Sequence, residues 1–330
     1  MKQYDRAMQE YNTAIELNPR YAKAFTNRGE LYAHMEQYDK AILDYNRAIE
    51  LDPHNSNTYN NRGNAYDSLG EYERAVDDYT KSLELEPDAV VYRNRGNTFT
   101  RLNRYTSAIK DYTKAIELEP NNPRNYTRRG DAYNDINEYQ LAIADFDKAI
   151  ALDPTNDVAY NGRGNAYNNI GGTENYQRAV ADYTKSLEFD PTDPIAHCNR
   201  GNTYRNLEQY DKAIADCTRA IQLRQNYTRA YNVRGLCYHE GLKQYDKAIA
   251  DYKAAIKIDP KFRYAYYNLG RVYTAQKKYA QALENFDMAI KVAPNYSYAY
   301  WERGKCYEAM GNKTKAQADF AKARELGYKG

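Results

Sequence analysis

The chain has 330 residues, and its 47 basic and 45 acidic residues leave a net charge of only +2. This balance argues against binding to nucleic acid or to an anionic membrane surface, because both functions require a clear basic excess. Leu, Ile, Val and Phe supply only about 15% of the residues, and the 37 Tyr carry much of the remaining apolar area. A large globular core is disfavoured, and the composition favours an elongated array of small units.

The segment Tyr-x-x-Arg-Gly-x-x-Tyr recurs about every 34 residues along the whole chain, and a Tyr, an Ala and usually a Pro follow it. We call each of these segments of about 34 residues a repeat, and we number its positions from its first residue as slots. Framework residues occupy slots 4, 7, 8 and 11, and again slots 17, 20, 24 and 27, so that each set lies on one face of a helix. Slot 8 is Gly and slot 20 is Ala in every unit, which lets two helices, A and B, approach closely.

This pattern resembles the tetratricopeptide repeat family, which implies an all-α fold, a right-handed α-solenoid (superhelix) of tandem helix-turn-helix hairpins. We interpret the chain as a single solenoid. It begins with a lone helix B and continues with nine full repeats, at residues 1–21, 22–55, 56–88, 89–122, 123–156, 157–193, 194–227, 228–262, 263–296 and 297–330. Extra residues at 171–175 and around Gly241 are expected to lengthen the turns between helices A and B.

Slot 7, commonly Leu in the family, is Arg in every repeat except the one with Leu269. Slot 23 on helix B is Asp in every repeat except the same one, which has Asn285. We therefore predict an Arg–Asp ion pair between helices A and B of each repeat. In the alternative interpretation each Arg extends to water without a partner.

Helix A slots 2, 5, 6, 9, 12 and 13 lie opposite the framework face, and in the family this side lines a concave groove. These slots hold 17 of the 32 Asn, although Asn is a poor residue inside helices. Stacked carboxamides can pair with the backbone of an extended peptide. We predict a peptide-binding Asn ladder formed by Asn27, Asn61, Asn64, Asn94, Asn97, Asn165, Asn199, Asn202 and Asn268. The alternative is that repeat duplication copied neutral residues.

Residues 56–156 also resemble the carboxylate clamp of chaperone-adaptor tetratricopeptide domains. The clamp-like residues are Asn60, Asn64, Asn94, Arg124 and Arg128. Asn60 stands where the clamp has Lys, so weaker binding is expected. Arg124 and Arg128 lie one helical turn apart and could form a fork for a carboxylate, although a solvated helix face is the competing interpretation.

Cys198 and His239 occupy groove slots of adjacent repeats, with His197 nearby in sequence, but no oxyanion donor or third orienting group accompanies them. We therefore predict a structural thiol and no catalytic residue. Neither the cysteines nor the histidines show the spacing of metal ligands, and no nucleotide or cofactor motif is present. The sequence predicts a protein that is not an enzyme and needs no metal or cofactor.

The last two repeats carry aromatic residues in groove slots, flanked by cations. This predicted aromatic patch comprises Tyr264, Tyr267, Arg271, Tyr298, Trp301 and Lys305. Large rings with a charged rim are typical of binding hot spots. In the alternative interpretation a following segment or a second copy covers the patch.

Together these features predict an adaptor that binds a protein or peptide partner in its groove and has no contact with nucleic acid. Self-assembly into a homo-oligomer through uncovered solenoid ends is a competing function, as is the role of a targeting arm in a larger protein. No signal segment or membrane-spanning stretch is recognisable, so a cytoplasmic protein without membrane insertion is the default expectation.

Overall fold

The computed structural model describes residues 2–329. These residues form nineteen α-helices and no strand, and none of the described helices is both long and apolar enough to cross a membrane. The helices are α1 Lys2–Leu17, α2 Ala22–His34, α3 Tyr38–Leu51, α4 Ser56–Ser68, α5 Tyr72–Leu85, α6 Ala89–Arg101, α7 Tyr105–Leu118, α8 Pro123–Asp135, α9 Tyr139–Leu152, α10 Asp157–Ile170, α11 Thr173–Phe189, α12 Pro194–Asn206, α13 Tyr210–Leu223, α14 Thr228–Leu236, α15 Tyr245–Ile258, α16 Arg263–Ala275, α17 Tyr279–Val292, α18 Ser297–Ala309 and α19 Lys313–Glu325.

The chain divides into two compact units, Met1–Ala166 and Tyr167–Gly330. In the first unit each helix A packs against the helix B that follows it, as α2 does with α3, α4 with α5, α6 with α7 and α8 with α9. In the second unit the same hairpins are α12 with α13, α14 with α15, α16 with α17 and α18 with α19. Successive A helices also contact each other within each unit, from α2 to α8 in the first unit and from α12 to α18 in the second. The predicted all-α fold of tandem hairpins is confirmed.

The contact between helices A and B centres on a Gly and an aromatic ring. A Cβ atom placed on Gly29 would lie 2.7 Å from the Tyr45 ring, and one on Gly96 would lie 2.7 Å from the Tyr112 ring. Ala41, at slot 20, is fully buried beside this contact. Since any larger residue at slot 8 would displace the ring, helix packing explains why Gly recurs there.

The predicted ion pair between helices A and B is confirmed. Arg62 Nε and Nη2 donate to the two carboxylate oxygens of Asp78 at 2.8 and 2.6 Å. The same bidentate pairing joins Arg28 to Asp44, Arg95 to Asp111, Arg129 to Asp145, Arg200 to Asp216, Arg234 to Asp251 and Arg303 to Asp319. Each of these carboxylates is buried, so the two hydrogen bonds and the opposite charge compensate its loss of water.

The slot-7 arginines also reach the preceding repeat, a contact that the sequence analysis missed. Arg62 Nη1 donates to Asn46 Oδ1 at 2.7 Å, and Arg129 Nη1 donates to Thr113 Oγ1 at 3.1 Å. The equivalent acceptors, all Asn, Thr or Asp at slot 25, are Asn12, Thr80, Asp147, Thr184, Thr218 and Asp287. One arginine thus fastens helix A to its own helix B and to the helix B before it.

One repeat has Leu269 in place of the slot-7 arginine, and its neighbours show that the contact can be recognised from the sequence. The repeat with Leu269 at slot 7 is preceded by one that has Lys253 at slot 25, where a hydrogen-bond acceptor is no longer needed. Leu269 is buried, and the Asn285 amide donates to the Gln281 carbonyl at 2.8 Å within its own helix. Slots 7, 23 and 25 therefore change together.

The prediction that extra residues lengthen the turns between helices A and B is wrong. Gly171 and Gly172, both with positive φ, make a short turn, and the added residues extend α11 to 17 residues where most B helices have 14. In the later repeat, α14 continues into a π-helical turn at Cys237–Gly241. A one-residue insertion can be accommodated in this way because the π-helical turn adds a residue while the helix remains hydrogen-bonded.

Replacing Arg129 with Leu is expected to lower the free energy of unfolding by about 3 kcal/mol, because the buried Asp145 carboxylate loses its counter-charge. Adding Asp145→Asn should recover part of this loss, because a buried amide costs less than an unpaired carboxylate. Urea denaturation of the single and double variants measures the difference.

The control is Arg47→Leu, which removes an exposed arginine from α3 and should change stability by no more than about 1 kcal/mol. If the Arg129→Leu variant and the double variant unfold at the same urea concentration, the two side chains do not act as a pair.

Candidate functional site

The slot-9 Asn side chains accept hydrogen bonds from tyrosines that lie at the contact between helices A and B. The Tyr79 hydroxyl donates to Asn64 Oδ1 at 2.7 Å, and the Tyr112 hydroxyl donates to Asn97 Oδ1 at 2.9 Å. In both residues the carbonyl oxygen thus serves the protein core, and the Nδ2 group is left to donate into the groove.

Two departures from this arrangement support a structural role for the slot-9 oxygen. Where slot 9 is Leu236, the buried hydroxyl of Tyr252 has no hydrogen-bond partner. Where slot 24 is Cys217 instead of Tyr, Asn202 Oδ1 accepts from the Arg205 guanidinium at 3.2 Å. The predicted ladder is therefore partly an internal hydrogen-bond network.

Three of the predicted Asn residues meet on the A helices α4 and α6. Asn94 Nδ2 donates to Asn60 Oδ1 and to Asn64 Oδ1, each at 3.2 Å. Asn61 Nδ2 donates to Glu30 Oε1 at 2.5 Å, and Asn61 lines a cavity of about 350 Å³ together with Asn64 and Glu30. The three carboxamides of the clamp-like set therefore form one hydrogen-bonded cluster.

The remaining predicted Asn residues lie deeper. Asn199 and Asn268 are each only 5% exposed, and Asn268 Nδ2 donates to Asn232 Oδ1 at 2.9 Å. Asn27 and Asn165 are half-buried. Asn199 and Asn268 are consequently poor candidates for contact with a peptide.

A neighbour in the preceding repeat explains many of the slot-6 Asn residues. A Cβ atom on Gly162, at slot 6, would contact the ring of Phe146, which is slot 24 of the repeat before. Asn occupies slot 6 only where that preceding residue is Tyr, in the pairs Tyr11 with Asn27, Tyr45 with Asn61, Tyr79 with Asn94, Tyr183 with Asn199 and Tyr252 with Asn268. Slot 6 is therefore a packing position where it holds Asn or Gly, whereas the repeat that follows Tyr112 has Arg128 there instead.

Arg124 and Arg128 line a cavity of about 480 Å³ in the first unit, together with Arg93 and Asn97. The sequence analysis did not select Arg93, which lies on α6 one helix A earlier. Thr127 and Asn156 add polar groups, while Asp153 and Asp157 also line the cavity. Three guanidinium groups outnumber the two carboxylates, so the cavity carries a positive charge.

Arg93 and Arg128 are held less tightly than the slot-7 arginines. Arg93 Nη1 donates to Asn125 Oδ1 at 3.0 Å but lies 3.7 Å from Glu119. Arg128 Nη1 lies 3.7 Å from Asp131, which is too long for a hydrogen bond. Their guanidinium groups retain N–H donors for an anionic ligand.

The N-terminus of α8 adds to this positive potential. Pro123 is the first helical residue, and the Asn122 side chain accepts from the Arg124 backbone N–H at 3.1 Å. The positive end of the helix dipole therefore lies beside the Arg124 side chain.

The structure brings the predicted aromatic patch together through two residues that the sequence analysis missed. Tyr296 contacts Tyr264, Tyr267 and Tyr298, with ring centroids 5.9, 5.3 and 5.9 Å apart. Tyr328 stacks on Trp301 at 4.5 Å. Helical spacing could not reveal Tyr296 or Tyr328, because both lie outside the A helices.

Trp301 is packed on both sides. Tyr328 covers one face, the Phe320 ring lies 4.6 Å away, and the Arg324 guanidinium lies 5.9 Å from the Trp301 ring. The segment that follows α18 therefore covers Trp301, as the alternative interpretation of the patch expects. Tyr264 and Tyr298 remain 40% and 53% exposed.

The two predicted rim cations are engaged within the protein. Arg271 Nη1 donates to Glu240 Oε1 at 3.0 Å and its guanidinium lies over the Tyr267 ring. Lys305 Nζ lies 2.7 Å from Glu302. The predicted rim cations thus lie beside the patch, and each is paired with a carboxylate of the protein.

The Cys198 thiol lies in a cluster of buried apolar residues. Cys198 is fully buried, and burial raises its pKa to about 11, so the thiol stays protonated near neutral pH. No three His, Cys, Asp or Glu side chains of the described residues are grouped as metal ligands.

Family models identify the class to which this helical repeat protein belongs. The model described as tetratricopeptide repeat matches residues 22–55, 56–88, 89–122, 194–227 and 264–296. Related repeat models match residues 1–36, 111–144, 130–171, 173–207, 242–276 and 297–326. The chain belongs to the tetratricopeptide repeat family.

Solved structures show the same fold at low sequence identity. A tetratricopeptide repeat protein from Parabacteroides merdae has a TM-score of 0.63 at 19% identity, over 76% of this chain and 98% of its own. The Cut9–Hcn1 hetero-tetramer of the APC/C has a TM-score of 0.62 at 14% identity, and the match covers 97% of this chain and 78% of that one. Yeast Tom70 has a TM-score of 0.55 at 17% identity, and the match covers 99% of this chain and 89% of its own. No curated protein matches the sequence significantly.

His239 should make the stability of the protein sensitive to acid. It is buried, and burial together with the Arg271 and Lys243 cations lowers its pKa to about 4 against the opposing charge of Glu240. The unfolded chain takes up this proton near pH 6.5, so the contribution of His239 to stability is lost as the pH falls from about 6.5 to about 4. His239→Phe should flatten the pH dependence of the melting temperature in this window.

The matched control is His54→Gln, which changes an exposed histidine and should leave the pH dependence as it is in the parent protein. Parallel curves for the parent protein and His239→Phe would show that His239 does not titrate as expected.

Proposed function

We propose that this protein is a non-catalytic scaffold that binds an extended segment of a partner protein along its A helices. We further propose that the cavity of Arg93, Arg124 and Arg128 holds an acidic group of that segment. The general role rests on membership of the tetratricopeptide repeat family, which typically provides interaction scaffolds. The acidic preference rests on one observation, the cavity of three arginines on adjacent A helices.

The internal hydrogen bonds of the arginines favour Arg93, Arg124 and Arg128 as the ligand-binding cations. The slot-7 arginines each donate two hydrogen bonds to a buried Asp and a third to the neighbouring repeat. Arg93 and Arg128, in contrast, lie 3.7 Å from the carboxylates of Glu119 and Asp131. A ligand carboxylate could therefore form the two parallel hydrogen bonds that these guanidinium groups lack.

Asn97 connects this cavity to the rest of the groove. Its oxygen accepts from Tyr112, and its amide nitrogen is available to donate to a carbonyl of a bound peptide. Asn64 has the same inward oxygen and lies one repeat earlier. Two such donors at consecutive repeats would hold a peptide backbone without selecting its side chains.

The cavity differs in position from the clamp to which the sequence is similar. Arg93 and Asn97 stand at slots 5 and 9 of the repeat directly before Arg124 and Arg128. Asn60 and Asn64 stand at the same slots one repeat further back, and both are engaged by Asn94. We therefore propose that the Arg93–Asn97 pair, on the nearer repeat, receives the acidic group.

A pooled peptide library, presented once with free C-terminal carboxylates and once with C-terminal amides, tests this proposal. We expect binding of the free acids to exceed that of the amides, and Arg128→Ala or Arg93→Ala to weaken it by about tenfold or more. Binding should also weaken as salt rises from about 50 to about 500 mM.

Arg47→Ala is the matched control, because it removes the same charge from an exposed position on helix B. Equal binding of acids and amides, with no effect of Arg93→Ala, would overturn the acidic preference. Light scattering on the same samples tests the competing function. A molecular mass that grows with protein concentration, with no peptide binding, would indicate self-assembly through the solenoid ends.

A further inference from the structure

A row of tyrosines forms an exposed surface in the second unit, independent of the arginine cavity. We call Tyr264, Tyr267, Tyr296 and Tyr298 the tyrosine surface. The Tyr264, Tyr296 and Tyr298 rings follow one another at centroid separations of 5.9 and 5.9 Å, and Tyr264 meets Tyr296 edge to face. Because neighbouring rings are tilted by 46° to 80°, the surface consists of ridges and clefts.

The cations next to this surface have contacts within the protein, although among the described residues Arg263 contacts only a phenol oxygen and two rings, and its buried Nε has no hydrogen-bond partner. The Arg263 guanidinium lies 4.4 Å from the Tyr264 ring centroid and 5.3 Å from that of Tyr296. Arg271 is paired with Glu240, and Lys305 is paired with Glu302. Arg271 and Lys305 therefore offer little to a charged ligand, and the large ring area favours an uncharged segment.

The hydrogen-bonding groups at the surface are mainly donors. Arg263 Nη2 donates to the Tyr264 oxygen at 2.6 Å, which leaves the Tyr264 O–H hydrogen to donate outward. Tyr298, 53% exposed, offers a second phenol hydroxyl. A suitable ligand is therefore one that presents carbonyl acceptors.

Proline-rich segments have this chemistry. Proline has no N–H, and the backbone carbonyls of a polyproline II helix make no internal hydrogen bonds. Flat pyrrolidine rings pack well in clefts between aromatic side chains.

We propose that the tyrosine surface binds an uncharged, proline-rich segment of a partner protein in the polyproline II conformation. Tyr264 and Tyr298 supply the exposed ring faces, Tyr296 forms the ridge between them, and the phenol hydroxyls donate to the carbonyls of the segment. An acidic peptide is the weaker occupant, because Arg271 and Lys305 are paired with carboxylates and the Arg263 guanidinium lies against the Tyr264 and Tyr296 rings.

Trp301, the one Trp in the sequence, provides a direct reporter. It is linked to the tyrosine surface through Tyr328, which contacts both the Trp301 ring at 4.5 Å and the Tyr298 ring at 5.3 Å. Movement of Tyr298 on binding would pass to Tyr328 and change the environment of the indole.

The test uses three labelled peptides of about ten residues: a proline-rich peptide, a glycine–serine peptide and a glutamate-rich peptide. We expect the proline-rich peptide to bind most tightly by fluorescence anisotropy and to change Trp301 emission. Tyr298→Ala and Tyr264→Ala should each weaken its binding by about tenfold. Because the ligand is uncharged, added salt should leave the affinity within about twofold.

Both variants change exposed side chains, and circular dichroism tests whether they fold like the parent protein. Tyr21→Ala, which removes an exposed tyrosine from the first unit, is the control. Arg128→Ala should leave proline-rich binding unchanged, so this proposal stands or fails separately from the arginine cavity. Equal binding of the glycine–serine peptide, tighter binding of the glutamate-rich peptide, or no effect of Tyr298→Ala and Tyr264→Ala would each overturn it.

Discussion

The bidentate hydrogen bond between the slot-7 arginine and the slot-23 aspartate is the interaction on which the fold depends. The aliphatic content of the chain is too low for an ordinary helical core, so charged and aromatic groups are buried together. The Arg62 guanidinium lies 5.7 and 6.0 Å from the rings of Tyr59 and Tyr66 while it binds Asp78. Aromatic rings thus surround the ion pair and limit its contact with water, which strengthens the electrostatic attraction and makes loss of either partner costly.

The same pairing divides the arginines into two classes. Those at slot 7 bind a buried aspartate and a slot-25 acceptor with three of their five N–H groups, so they connect one repeat to the next and are held in place. Those on the face formed by the A helices, such as Arg93 and Arg128, have looser internal contacts. The carboxamides divide in a similar way. The oxygens of Asn64 and Asn97 serve core tyrosines, whereas their nitrogens face the groove. Binding chemistry is therefore confined to groups that the repeat framework leaves unused.

The repeats supply an internal alignment, and from it the sequence predicts the hairpins, the Gly and Ala contacts and the Arg–Asp pair, since these depend on slots within one repeat. The contacts that the sequence analysis missed join neighbouring repeats. Arg129 donates to Thr113, and Arg93 lines the same cavity as Arg124. Both contacts depend on how successive repeats stack, which a helical wheel of one helix does not represent. The sequence predicts a longer turn near Gly241, because the length of the insertion does not distinguish a longer turn from a π-helical turn.

Nuclear magnetic resonance of the arginine Nε–H groups, recorded as a peptide with a free C-terminal carboxylate is added, tests the division of arginines most directly. The resonances of Arg93, Arg124 and Arg128 should shift as the peptide binds. Arg95 lies two residues after Arg93, and Arg129 directly follows Arg128. Because these two arginines are bound to Asp111 and Asp145, their resonances should stay in place. Shifts at Arg95 and Arg129, with none at the three cavity arginines, would contradict the assignment of structural and binding roles.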